Sequence, residues 1–195
     1  VKTFKHIALD LELEQPNTNP QTPDSKLTEE KIIQVGYVIY EIEPEFKVLK
    51  KVSSFVDIGV PLSEFIKKLT GISDSDILTG VSIEEAFREL TMDANAFETI
   101  RVVKQWGGGD MDCLQREVPE EKWEFGRSAC NIKHMYQVYA EANGQNRSGG
   151  LKKSMKRCGL TFEGGAHDAA IDAFNTAKFH TFLHRVMKKG GYDAK

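Results

Sequence analysis

The sequence predicts an α/β fold in which a mixed sheet of five strands, three antiparallel and then parallel ones, is flanked by helices. Two features predict it. Three β-rich runs open the chain, and beyond about residue 80 helical and strand-like stretches alternate. There is no internal repeat and no linker-like segment, so the 195 residues are expected to form one domain over 1–195. That length supports one hydrophobic core and is short for two.

The first run, Thr3–Leu9, is apolar and partly β-branched and ends in Asp10-Leu11-Glu12, which reads as a buried strand. Residues 14–25, rich in Gln, Pro, Asn and Thr, cannot hold regular structure and are expected to form a mobile loop beside whatever Asp10 and Glu12 build. Lys31–Glu41 and Val48–Val56 are β-rich and joined by a short Pro-containing turn, as antiparallel neighbours are. Pro61–Leu69 has a helical period and is followed by a loop at Thr70–Ser73. Ser82–Met92 opens on a capping Ser and sets Ile83, Ala86, Phe87 and Leu90 on one face, so it is an amphipathic helix. Thr99–Gln105 is a strand running into Trp106-Gly107-Gly108-Gly109-Asp110, with a helix starting near Asp110. Ser128–Ile132 is a short strand and Lys133 to about Ala142 a helix. After a polar turn at Asn143–Gly150 comes a short basic helix, Leu151–Cys158. His167–Lys188 is the long last helix, stopped by Gly190-Gly191; its Phe174, Phe179, Phe182 and Leu183 are core residues.

Composition excludes little. Apolar content of 40% and charged content of 28% are those of an ordinary globular protein. No run reaches the roughly 18 apolar residues that a membrane span needs. Three scattered cysteines without CxxC spacing indicate neither a zinc site nor a disulfide framework, and a reduced cytoplasmic or otherwise intracellular setting is expected. A net charge of −3 argues against gripping nucleic acid by bulk charge. It does not exclude a nuclease, because carboxylates gathered around a cation lower the formal count.

The chemistry lies in acids. In a strand, residues two apart point to the same side, so the Asp10 and Glu12 carboxylates converge. Buried acids need a partner, and a hard divalent cation supplies one; on spacing alone, two solvated acids at a strand end is the better reading. Asp110 leaves a glycine turn at a strand's carboxyl end, where sites of α/β sheets assemble. It fits a helix N-cap equally well, and Asp112 competes with it. Asp110 is preferred because Leu114 then faces the core. Asp172 sits among small residues that let its helix approach another backbone, with His167 leaning over from the loop or first turn. Asp168 is the alternative acid and is assigned the helix cap. By itself a His at a helix start is more often ordinary than catalytic. Together, four acids from three segments and one His are what metal-assisted phosphodiester hydrolysis needs.

These pieces resemble the DEDDh exonuclease family, with its ribonuclease-H-like fold. The matching stretches are LDLE (9–12), KIIQVGYVIY (31–40), LTGISDSDI (69–77), WGGGDMDCL (106–114) and HDAAIDAFNTAKF (167–179), in the family order. The resemblance implies that Asp10, Glu12, Asp110 and Asp172 hold two divalent cations, Mg²⁺ or Mn²⁺, and that His167 is the general base. It implies a 3′-to-5′ exonuclease that releases nucleoside 5′-monophosphates from single-stranded nucleic acid. The Trp-Gly pair before Asp110 and the stretch from Asn131 to Phe179 look like the branch that trims histone-mRNA ends and small RNAs, which points to RNA. A DNA proofreading or repair exonuclease and a catalytically silent binding module are the alternatives. The chain departs from many relatives in placing Leu13 and Glu14 after the Asp-x-Glu, where a small or hydroxylated residue is common. Gln34 stands where an acid is frequent and is read as structural. Leu11, Leu13, Trp106, Lys152 and Lys153 are the candidate substrate contacts. Lys152 and Lys153 belong to a basic cluster with Arg147, Lys156 and Arg157 that fits a phosphate track or a solvated helix face equally well. Trp106 is a stacking candidate, although a Trp at a strand end is more often packing.

Overall fold

The computed structural model describes residues 4–123 and 125–189. Five strands form one sheet: β1 (Lys5–Glu14), β2 (Lys31–Glu41), β3 (Lys47–Phe55), β4 (Val102–Gln105) and β5 (Ser128–Asn131). Their spatial order is β3-β2-β1-β4-β5. β1–β2 and β2–β3 are antiparallel, while β1–β4 and β4–β5 are parallel. The helices are α1 (Glu64–Thr70), α2 (Asp74–Leu78), α3 (Ile83–Ala96), α4 (Asp110–Glu117), α5 (Ile132–Ala142), α6 (Leu151–Arg157) and α7 (Ala169–Lys189). The mixed, helix-flanked sheet agrees with the sequence expectation. Among the described residues no helix is long and apolar enough to cross a membrane.

Alternation along β1 sorts its two faces. Ile7, Leu9 and Leu11 pack with Phe87 and Leu90 of α3 and with Met111 and Leu114 of α4. The other face carries Ala8, which packs with Ala173 and Ala177 of α7, and so it also carries Asp10 and Glu12. Both acids therefore point toward α7. That helix comes close because its first turns are alanine-rich and because β2 presents Gly36 opposite Asp10. A Cβ on Gly36 would lie 2.1 Å from the Ala169 carbonyl carbon and 2.2 Å from the Ala170 nitrogen, so any side chain there would push α7 away.

Several boundaries move. β1 continues past Asp10 and Glu12 to Glu14, with a bulge between Glu12 and Leu13, so the acids lie within the strand and not at its end. The Thr3 start and the Gly190-Gly191 stop fall outside the described residues. Of residues 14–25, expected to be a mobile loop, Glu14 ends β1 and the rest are a knit of turns: Thr22 is fully buried and its hydroxyl donates to the Pro16 carbonyl at 2.9 Å. α1 begins only at Glu64, because Ser63 caps it, and ends at Gly71 with φ of 77°. The short α2 was not foreseen; Ser73 and Asp76 form a capping box at its start. β4 begins at Val102 and not Thr99, and α7 at Ala169 and not His167.

Candidate active site

Asp110 is the first residue of α4, and the turn before it is shaped by two amides. Gln105 Oε1 accepts the Met111 N–H at 3.3 Å, and Asn131 Oδ1, from the paired position on β5, accepts the Gly107 N–H at 3.2 Å. Gly107 and Gly109 take φ of 86° and 120°, which L side chains rarely adopt. The turn brings the Asp110 carboxylate against β1, where it accepts the Leu11 amide. Asp112 points out to solvent.

At the start of α7 the two acids divide their work. Asp168 Oδ1 accepts the N–H groups of Ala170 and Ile171 at 3.0 and 3.1 Å, which makes it the helix cap. Asp172, one turn on, accepts the His167 N–H at 2.9 Å. His167 lies before the helix, exposed, with φ of 65°. Gln34, paired with Glu12 across β1–β2, pins this end of α7: its Oε1 accepts the Ala169 N–H at 3.0 Å and its Nε2 donates to Ser53 Oγ at 2.9 Å.

The acids converge. One ligand atom each from Glu12, His167 and Asp172 lie within 4.8 Å of one another. Burial, reinforced by the charges of Asp110, Asp172, Glu12 and Asp168, holds the Asp10 carboxyl well above the usual range. Burial and then Asp172, Asp168 and Asp110 push Glu12 up to about 8. Burial also raises Asp110 and Asp172, in the latter against the His167 N–H. Four carboxylates thus share one poorly solvated volume, with His167 and, more weakly, Lys152 opposing the rise at Asp172.

A cavity of about 370 Å³ opens beside them, lined by Asp10, His167, Asp172, Trp106, Lys152 and Lys153 among others. A larger one of about 620 Å³ runs along α3, yet among the described residues it holds no set of side chains close enough to share an ion; chemistry, not volume, marks the site. Of the substrate-contact candidates, Trp106 and both lysines line the smaller cavity. Trp106 also packs on Phe179, with ring centroids 5.7 Å apart. Leu13 is half-buried and packs against the α3 and α4 cluster rather than lining this cavity. Leu11 is a correction: its side chain is buried among α3 and α4 residues, on the face away from the acids, and only its amide reaches the site. The basic cluster also divides. Arg147 pairs with Glu141, and Arg157 is spent on the Asn146 and Ser148 carbonyls. Lys152, Lys153 and Lys156 stay exposed, with no ion pair among the described residues, and the Lys152 ammonium sits 5.5 Å above the Phe162 ring. Sequence reasoning overlooked Gly36, Gln105 and Asn131. A glycine inside an apolar strand was the legible signal for the first of them.

The exonuclease family of the RNase T type matches residues 7–179. This chain belongs to the DEDDh exonucleases. No curated protein sequence matches it. Among solved structures, the nuclease domain of 3′hExo, a DEDDh family member bound to rAMP, superimposes with a TM-score of 0.75 at 18% identity, covering 97% of this chain and 94% of that one. A full-length 3′-exonuclease gives 0.76 at 17% identity over 97% of this chain but 62% of its own, so this exonuclease chain spans less than two thirds of that protein. S. pombe Pop2p in its Mg²⁺- and Mn²⁺-bound form gives 0.65 at 16% identity, covering 96% and 86%. At these identities the likeness is one of fold.

Proposed function

We propose that this DEDDh exonuclease removes nucleotides one at a time from the 3′ end of single-stranded nucleic acid, RNA in preference to DNA, with divalent cations held by Asp10, Glu12, Asp110 and Asp172. The observation that carries the reading is the convergence of four acids, Glu12 buried and Asp10, Asp110 and Asp172 half-buried, from β1, α4 and α7 on one volume beside an exposed histidine. The residues fit a cation set: hard carboxylate oxygens, each holding its neighbours' protons on, are what Mg²⁺ or Mn²⁺ relieves. Bound there, the ions would supply Lewis-acid polarisation of the scissile phosphate and neutralise its charge.

His167 takes the proton of the attacking water as general base. As the water oxygen bonds to phosphorus, the P–O3′ bond breaks, the departing O3′ takes a proton from solvent, and the terminal nucleotide leaves as a 5′-monophosphate. Exposure suits His167 to this task, because the proton must pass on to solvent between turnovers. Lys152 and Lys153 meet phosphates of the incoming strand, while Trp106 offers apolar surface to bases or sugars. The RNA preference rests on the resemblance of the Asn131–Phe179 stretch to the RNA-trimming branch.

Digestion of matched RNA and DNA oligonucleotides, labelled at either end and titrated with Mg²⁺ and Mn²⁺, tests this. The expected result is stepwise shortening from the 3′ end, faster on RNA and abolished by chelation. Internal cleavage, 5′-end shortening or metal-independent turnover would overturn it.

A further inference from the structure

The His167 imidazole has no hydrogen bond to hold it among the described residues; only its backbone N–H is fixed, by Asp172. Its position must therefore come from the backbone. The segment leading to it, Glu163-Gly164-Gly165-Ala166, consists of small residues after the glutamate and would wander if untethered. It is tethered at Glu163, and the tether is Asn175. This side chain is fully buried within α7. Its Oδ1 accepts the Glu163 N–H at 3.0 Å, and its Nδ2 donates to the Glu163 carbonyl and to the Ile171 carbonyl, both at 2.9 Å. The amide reads both backbone groups of one residue, and that pairing leaves no freedom to flip it.

Neighbours on the same face of α7 extend the grip. Ile171, Asn175 and Lys178 are spaced i, i+4, i+7 and share one stripe. Lys178 Nζ donates to the Thr161 carbonyl at 2.9 Å and to Glu163 Oε1 at 2.7 Å. Gly164, with φ of 82°, lies so close to Ile171 that a Cβ there would sit 2.9 Å from its Cδ1. The strand of loop before His167 is thus moulded on the helix that carries Asp172.

We infer that Asn175 is a positioning residue for the reaction, clamping Glu163 so that the loop delivers His167 over the carboxylates. The inference rests on the exonuclease reading. α7 then serves as a single ruler: Asp172 belongs to the ion-binding set, and Asn175, one turn further, sets where the base hangs. Loss of the clamp leaves the acids and the lysines in place, so it slows the chemical step without weakening substrate binding.

The test is a double-mutant cycle of Asn175→Ala with His167→Ala, measuring kcat and KM on a single-stranded oligonucleotide in Mg²⁺. Asn175→Ala is expected to lower kcat about 10–100-fold with KM within about two-fold, the scale of misplacing a catalytic group by an ångström. In the His167→Ala background the same change should cost less than about two-fold, because there is no longer a base to place. An equal loss in both backgrounds, or an effect confined to KM, would overturn the inference. Should Asn175→Ala fail to fold, Lys178→Met removes the outer contacts alone and should show the same coupling at about 3–10-fold; additivity there overturns the inference as well. Amide hydrogen exchange at Glu163 separates this proposal from the reading beneath it. If the wild-type chain degrades nothing, the exonuclease reading fails. The clamp itself then stands on slow Glu163 exchange that Asn175→Ala accelerates at least about ten-fold, and falls if exchange is unchanged.

Discussion

β1 and α7 carry two sets of ionisable groups, and the two sets are opposites. At one end lie Asp10, Glu12, Asp110 and Asp172. At the other, on the same face of β1 and two turns along α7, lie His6 and His180, beside Lys104 of β4, all three nearly buried. Burial, helped by Lys104, pulls His6 down to about 4 and His180 to about 2. Burial also lowers Lys104, whose ammonium donates to the Val102 carbonyl at 2.7 Å. The basic end can discharge itself, although the buried Nδ1 of His6 has no hydrogen-bond partner among the described residues. A histidine loses its charge by losing a proton, and the neutral His180 ring then shares a 2.7 Å hydrogen bond with the Tyr40 hydroxyl. The acidic end discharges only by holding protons, and on the proposed function it is completed from outside, by cations. A buried charged cluster is a sign of function only when its own fold cannot discharge it.

The sharpest way to break this contrast is Asp10→Asn. It should abolish hydrolysis while raising the melting temperature of the metal-free protein, by about 2–4 °C per kcal/mol of relieved repulsion in a chain of this size. Near-normal turnover would discard the assignment, and a fall in melting temperature would show that the acids do not repel. Next comes His167→Ala, expected to cost roughly 10²–10⁴ in kcat, the usual range for a general base. Being exposed, it should leave the thermal midpoint unchanged.

The two ends also predict opposite pH slopes, measurable by urea unfolding between pH 4 and 8. The His6 value is depressed in the fold, so the unfolded chain binds more protons below its ordinary 6.5. Stability present above that pH is lost as pH falls toward 4, by about 3 kcal/mol from His6 alone. The Glu12 value is raised, so the fold holds the proton more tightly. Stability present below 4.5 is lost as pH rises through about 8, by roughly a few kcal/mol. In EDTA the curve should therefore peak between these limbs. Saturating Mg²⁺ should remove the alkaline decline and leave the acid one untouched. An alkaline limb indifferent to Mg²⁺ would break the comparison. The smallest effect belongs to Lys153→Ala, which should raise KM a few-fold, leave kcat alone and flatten the dependence of log KM on log salt by about 0.7 for one lost phosphate contact.

Much of this was legible in residues whose surroundings are local. β2 was read with its observed bounds because Lys31–Glu41 is an apolar run between polar flanks. α3 was announced by its Ser82 cap, and α4 by the glycines that let Asp110 turn back on β1. What escaped was tertiary. Two acids look like a strand's end because charge inside a strand is unfavourable, and nothing local shows that α7 and α4 bring two more acids to the same volume. Gly36 looks like a weakness in β2 until Ala169 is known to lie on it. The five basic residues between 147 and 157 look alike in sequence, and only the fold shows Arg147 and Arg157 engaged and the lysines without an ion pair among the described residues. Residues 14–25 looked loose because consecutive turns leave no periodic trace.

The central claim is that the acidic end is built incomplete and is filled by divalent cations. Electron paramagnetic resonance of Mn²⁺ titrated into the wild-type chain and into Asp10→Asn tests it most directly. Two ions held by the wild type and lost from the variant are the predicted result; equal binding by both, or none by either, would contradict it.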